Sequence, residues 1–135
     1  MTVSLRPRKS SAKPLSPDPI QIWVQTRPLD NFQLGNVGLI KIDIQGGEIE
    51  AFKGMRETIK ASPKAKVIVE WSPPHLKSAG HSAGELPALL SDLGLGCMIA
   101  LDDFEETQWS ADQMLSAFKS DQTGRKYCNI LAQRA

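Results

Sequence analysis

The chain has 135 residues, enough for one small domain with a single core and short for a complete cofactor-dependent enzyme. Its 16 basic and 15 acidic residues nearly cancel, so no global field points to nucleic acid. No apolar run approaches the roughly 20 residues that cross a bilayer, and the two cysteines, Cys97 and Cys128, lack CxxC spacing. Both cysteines lie in apolar runs, which fits buried free thiols in a reducing cytoplasm and argues against zinc.

Residues 1–19 are rich in Pro, Ser and Lys with almost no large apolar side chains, a composition that predicts a disordered tail. Up to Arg27 the basic residues Arg6, Arg8, Lys9, Lys13 and Arg27 face Asp18 alone, so the head is basic and the rest mildly acidic. The tail has neither the apolar centre of a secretory signal nor aromatics that would stack on bases, so neither a membrane nor a nucleic-acid partner is expected.

Order is expected over residues 20–135. Ile20, Ile22 and Val24 alternate with Gln21, Trp23 and Gln25, the pattern of a half-buried strand. After the turn RPLDNF, residues 37–44 form an apolar run broken only by Lys41 and Asp43, as in strands covered on both faces of a parallel sheet. From Glu48, the residues Ile49, Phe52, Met55 and Ile59 recur at helical intervals, and Pro63 lies beyond the end of that helix. KVIVEW, residues 66–71, is the next strand, and SPPHLKSAGHSAG after it reads as a loop.

Ser82 with Glu85 is a capping-box pattern opening a helix with Leu86, Leu89, Leu90 and Leu93 on its apolar side, closed by Gly94. GCMIAL, residues 96–101, is a third buried strand, followed by the acidic loop DDFEET. Ser110 with Gln113 opens a helix carrying Met114, Leu115 and Phe118, and YCNILA, residues 127–132, is the last strand. Helices alternating with short buried strands predict an α/β fold, a mostly parallel sheet with helices on both faces.

The chemistry-bearing residues gather at strand ends, where parallel-sheet proteins bind ligands. Lys41 and Asp43 are two apart on one strand and project from the same face. Buried, they would need partners, either each other or a carboxylate on the next strand, and Glu70 at the end of VIVE is the obvious one. Asp43 and Glu70 therefore form either a polar site or an ion-pair network that orders the turn. Gly46 and Gly47 permit a sharp turn or the close approach of a ligand. Glu48 in the first helical turn is favoured by the helix dipole. His75 and His81 match no helical metal-ligand spacing, so no metal is expected, but His75 sits beyond a strand end where a general base can act. Trp71 and Trp109 suit core or rim packing more than substrate stacking.

The stretch GLIKIDIQGGEIEAFKG, with Leu29-Asp30 and Phe32 before it and VIVE and NILA after it, resembles the FkbM family of S-adenosylmethionine-dependent methyltransferases. The family motif reads Lys-apolar-Asp-apolar-Glu/Gln-Gly-small-Glu, matched by Lys41, Asp43, Gln45, Gly46 and Glu48, with Glu70 at the next acidic strand end. The resemblance implies a Rossmann-like methyltransferase that methylates an oxygen of a sugar or other small molecule. It puts Lys41, Asp43, Gln45 and Gly46 on the cofactor side and Asp43, Glu70 and Glu48 among the catalytic candidates, which His75 joins from its place beyond the strand end.

One departure is large. Family members begin with a strand and an Asp-x-Gly-Ala/Gly-x-x-Gly turn that cradles the cofactor, whereas the first glycine here is Gly35. The resemblance therefore implies the carboxyl-terminal half of such an enzyme. The strand carrying Asp43 is then expected to present a bare edge. Another polypeptide could pair there, residues 20–25 could shield it, or the chain is a non-catalytic remnant or interaction domain that self-associates.

Overall fold

The computed structural model describes residues 23–101, 107–120 and 127–134. The expected tail, residues 20–22 of the first expected strand and residues 102–106 of the acidic loop lie outside the described residues. Trp23 and Val24, from that same expected strand, are in no strand and lie 75% and 51% exposed.

Among the described residues five strands form one sheet: β1 (Leu39–Ile42), β2 (Lys66–Trp71), β3 (Cys97–Ala100), β4 (Thr107–Trp109) and β5 (Cys128–Gln133), in the order β1-β2-β5-β3-β4. Of these strands β1 and β2 pair in parallel, and the β2–β5, β5–β3 and β3–β4 ladders are antiparallel. The expectation of a mostly parallel sheet is thus corrected: the fold is α/β with a mixed sheet. The cause is β5, which enters between β2 and β3 against their direction. β1, β2 and β3 still point the same way, so their carboxyl ends share one side of the sheet.

The core occupies one face. Ile40 and Ile42 of β1, Val67, Val69 and Trp71 of β2, Met98 of β3 and Cys128, Ile130 and Ala132 of β5 belong to one buried cluster. Their alternate neighbours are exposed or half-buried, as the patterns eBeB, eBiBiB, iBiB and BiBiBi along β1, β2, β3 and β5 record. An apolar run need not mean two covered faces; here period-two alternation decides, and among the described residues one face is covered. The cluster is completed by Ile49 and Phe52 of α1 (Glu48–Lys53), Ile59 of α2 (Arg56–Lys60), Leu76 of α3 (Pro73–Ser78), Leu86 and Leu90 of α4 (Glu85–Asp92) and Met114 of α5 (Ala111–Ser120).

The single helix expected after Glu48 is two. Gly54 carbonyl accepts the Asp30 N–H at 3.0 Å, turned out of the helical ladder, and the helix restarts at Arg56. Asp30 supplies the restart with its cap: its carboxylate accepts Glu57 N–H at 3.2 Å, Thr58 N–H at 2.8 Å and the Thr58 hydroxyl at 2.9 Å. Burial alone would raise the Asp30 pKa, but these bonds, led by Thr58, together with the Lys60 charge hold it below the usual carboxylate range.

The segment read as a loop after β2 contains α3. Pro73 opens it, where a missing N–H costs nothing. Gly80 at φ +92 closes it, with His81 N–H reaching Leu76 carbonyl at 2.9 Å. The Ser110–Gln113 capping box forms in both directions, at 2.8 and 3.2 Å. At Ser82 half of the box forms, Ser82 N–H donating to Glu85 at 2.7 Å. β4, inside what reads as the end of a loop, was not expected.

Candidate functional site

The strand ends bring the acidic residues together. Ile42 pairs with Val69 in the last rung of the β1–β2 ladder, so Asp43 and Glu70 follow side by side at the carboxyl ends of adjacent strands. Alternation puts Lys41, Asp43 and Glu70 on the face opposite the core. Lys41 Nζ lies 3.4 Å from Asp43 Oδ2, and the two side chains are 63% and 52% exposed. That pair is solvated rather than buried, so it is a weak ion pair and leaves Asp43 accessible.

Glu70 pairs with His75, not with Lys41. Its side chain is 14% exposed, and its Oε1 stands 3.3 Å from His75 Nδ1. The two atoms are shut from solvent and neither has an aligned hydrogen bond, so the contact has the reach of an ion pair without hydrogen-bond geometry. The His75 ring keeps 30% exposure while its Nδ1 is buried, which leaves the opposite edge of the imidazole toward solvent.

The double-glycine turn sets the position of His75. Gly46 has φ +107, and a Cβ built on it would lie 2.8 Å from the His75 carbonyl oxygen and 3.4 Å from Ala79 Cβ. Only glycine lets α3 approach so closely. Gln45 precedes it in the left-handed region at φ 50, a conformation that side chains other than Gly, Asn and Asp seldom adopt. The turn is tied by Glu48, 2% exposed, whose two carboxylate oxygens accept the Gly46 N–H at 3.0 and 2.8 Å. This is an acid at a helix start whose charge is met by a backbone donor and the helix dipole.

Asp43, Gly46, Glu48, Glu70 and His75 therefore surround one end of the sheet, with Lys41 one rung away. His81 stands apart from them, with Nδ1 2.8 Å from Glu85 Oε2. Glu85 is held below its ordinary pKa, first by the Ser82 N–H and then by His81. Among the described residues no group of three or more His, Cys, Asp or Glu is placed to hold a metal ion. Trp71 is fully buried and its Nε1 donates to Ala83 carbonyl at 3.0 Å, which makes it a core residue. The Glu70–His75 pair is invisible in sequence unless α3 is recognised, and Pro-Pro after an N-cap serine is the signal that marks it. No helix among the described residues is long and apolar enough to cross a membrane.

Comparison with protein families matches residues 4–95 to the Methyltransferase FkbM domain. The match takes in the LDNF, KIDIQGGE and VIVE segments, begins inside the basic head and stops before β3. Comparison with curated proteins and with solved structures gave no match.

Proposed function

Because the chain belongs to the FkbM methyltransferase domain family, we propose that it serves O-methyl transfer from S-adenosylmethionine to a hydroxyl of a sugar or other small molecule. The observation that carries the site assignment is the Glu70–His75 contact at the carboxyl end of β2. A Rossmann-like architecture is supported by the parallel β1–α1–α2–β2 unit, and a cytoplasmic setting by the lack of a disulfide between Cys97 and Cys128.

Gly46 offers no open seat for S-adenosylmethionine. The close-approach side of Gly46 is filled by the His75 carbonyl, and its N–H is taken by Glu48. Lys41, Asp43 and Gln45 remain the residues that would face the cofactor, and the chemistry argued for this chain is confined to the acceptor. Glu70 Oε1, 3.3 Å from His75 Nδ1, is the acceptor toward which a small rotation of the ring would turn Nδ1–H, and that tautomer would leave Nε2 as the base. When bound, S-adenosylmethionine would supply the methyl group, its carbon–sulfur bond breaking and the neutral thioether leaving as the acceptor oxygen takes the carbon; the hydroxyl proton would pass to His75 Nε2, with the Glu70 carboxylate beside the ring stabilising the imidazolium. Asp43, exposed beside this pair, orients the acceptor hydroxyl. Glu48 holds the turn against which His75 rests.

The test uses methyl-labelled S-adenosylmethionine and a panel of glycosides and hydroxylated small molecules, with the purified chain alone and with lysate of its native host. Label appearing in an alkali-stable product, as an ether is and a methyl ester is not, and lost in His75→Ala, is the expected result. No labelled product under either condition overturns the catalytic reading. A second reading, an interaction domain that pairs through the sheet edge, is supported by β1 bonding on one side only among the described residues.

A further inference from the structure

Among the described residues β1 is an edge strand, and its direction of bonding is fixed. Lys66 N–H donates to Gly38 carbonyl at 3.0 Å, so Gly38 and, by alternation, Ile40 and Ile42 turn their backbone groups toward β2. Leu39, Lys41 and Asp43 then turn theirs outward. Among the described residues no strand lies on that side. An edge of this kind templates another strand unless it is covered or blunted.

The side chains state which strand it can take. For two copies of β1 related by a two-fold axis, hydrogen bonds form only when outward residues meet outward residues, which restricts the axis to a residue and not to the gap between two. An axis at Lys41 sets lysine against lysine, and one at Asp43 sets carboxylate against carboxylate. An axis at Ile40 leaves neither charge opposite its complement. An axis at Ile42 places each Lys41 opposite Asp43 of the second copy, and each Ile40 opposite Ile44 of the second copy. Opposite charges facing across a ladder stabilise it and like charges destabilise it. Two exposed large apolar residues, Leu39 at the start of β1 (59%) and Ile44 two residues beyond its end (52%), would be shielded by a neighbouring strand.

We propose that β1 is a self-complementary pairing strand: two copies of the chain join antiparallel about Ile42, merging their sheets into one. The proposal deepens the interaction reading and is independent of catalysis. It also brings Lys41 of the second copy to the Asp43 of the candidate site, so each site gains a cation from its neighbour. Because Lys41 and Asp43 are both exposed, exchanging them leaves the core untouched.

The experiment is sedimentation equilibrium of the full chain beside Lys41→Asp, Asp43→Lys and the double variant that carries both changes. A concentration-dependent dimer is expected, with each single change raising the dissociation constant about tenfold by turning two attractive cross-strand pairs repulsive. The double variant should return to within about threefold of the original, because it exchanges the charges and restores complementarity. A dimer indifferent to either single change, or a double variant as weak as the singles, overturns the Ile42 register. A chain that stays monomeric at all concentrations overturns both the register and the interaction reading, while leaving the label-transfer result to judge catalysis.

Discussion

Gly46 is the residue on which the candidate site turns. Its positive φ already excludes an easy side chain, and a methyl group there would stand 2.8 Å from the His75 carbonyl oxygen. That oxygen is backbone, part of a helix start anchored by Leu76 in the core, so it yields only if α3 shifts. Gly46→Ala should therefore cost about 3 kcal/mol, combining left-handed strain with displacement of α3. Urea unfolding measures the loss. The change should also disturb the His75 side-chain resonances in NMR more than those of His81, which belongs to a separate pair. A destabilisation below about 1 kcal/mol, well short of the strain expected, would show that the approach of α3 is not tight. Sequence alone leaves Gly46 divided between a turn and a ligand seat, because the atom that fills the space belongs to a residue 29 positions later. The partner of Glu70 is hidden for a different reason: His75 is only five positions on, but it comes beside the carboxylate because residues 73–78 form α3 and not a loop.

At the scale of elements, Asp30 organises a helix to which it does not belong. The residues Ile49, Phe52, Met55 and Ile59 keep a helical apolar period across Gly54, so periodicity cannot show that the helix is broken. What breaks it is a donor and a carboxylate from the Leu29–Phe32 turn, more than 20 residues upstream. By contrast, β2 is legible to the residue, because β-branched alternation and the following prolines are local signals. α3 is missed when proline is taken as a breaker rather than as an N1 residue. Asp30→Ala should cost about 2 kcal/mol, since it removes the cap of α2 and leaves the buried Thr58 hydroxyl and N–H without their acceptor. Asp30→Asn keeps an acceptor and should cost less. The pH dependence has a definite sign. The folded pKa of Asp30 is lowered, so its carboxylate contribution is present above the unfolded value near about 4 and is lost as pH falls through the folded value. Urea midpoints measured from neutral to acid pH should accordingly fall less steeply in Asp30→Asn than in the unaltered chain. Parallel curves would remove Asp30 from the acid response.

On the scale of the whole molecule, the sheet is held from its centre. β5 lies between β2 and β3 and joins strands far apart in sequence, and its residues Ile130 and Ala132 pack in the same buried face as Val67 and Val69. β1 and β4 each have one bonded neighbour among the described residues. Cooperative opening should begin where ladders are single-sided and backbone groups reach water, and end where strands are flanked twice. Amide hydrogen exchange at dilute, monomer-favouring concentration is expected to be slowest at Val67, Val69, Ile130 and Ala132. Lys41 and Asp43, whose N–H groups face outward, should exchange orders of magnitude faster. Ile42, bonded toward β2, should fall between. This order separates an edge that is open from one shielded by residues outside the described ones: protection of Lys41 equal to that of Ile42 at every concentration would mean that the chain covers its own edge. Protection of Lys41 that rises with concentration, while Val67 stays unchanged, would mean that a second copy does.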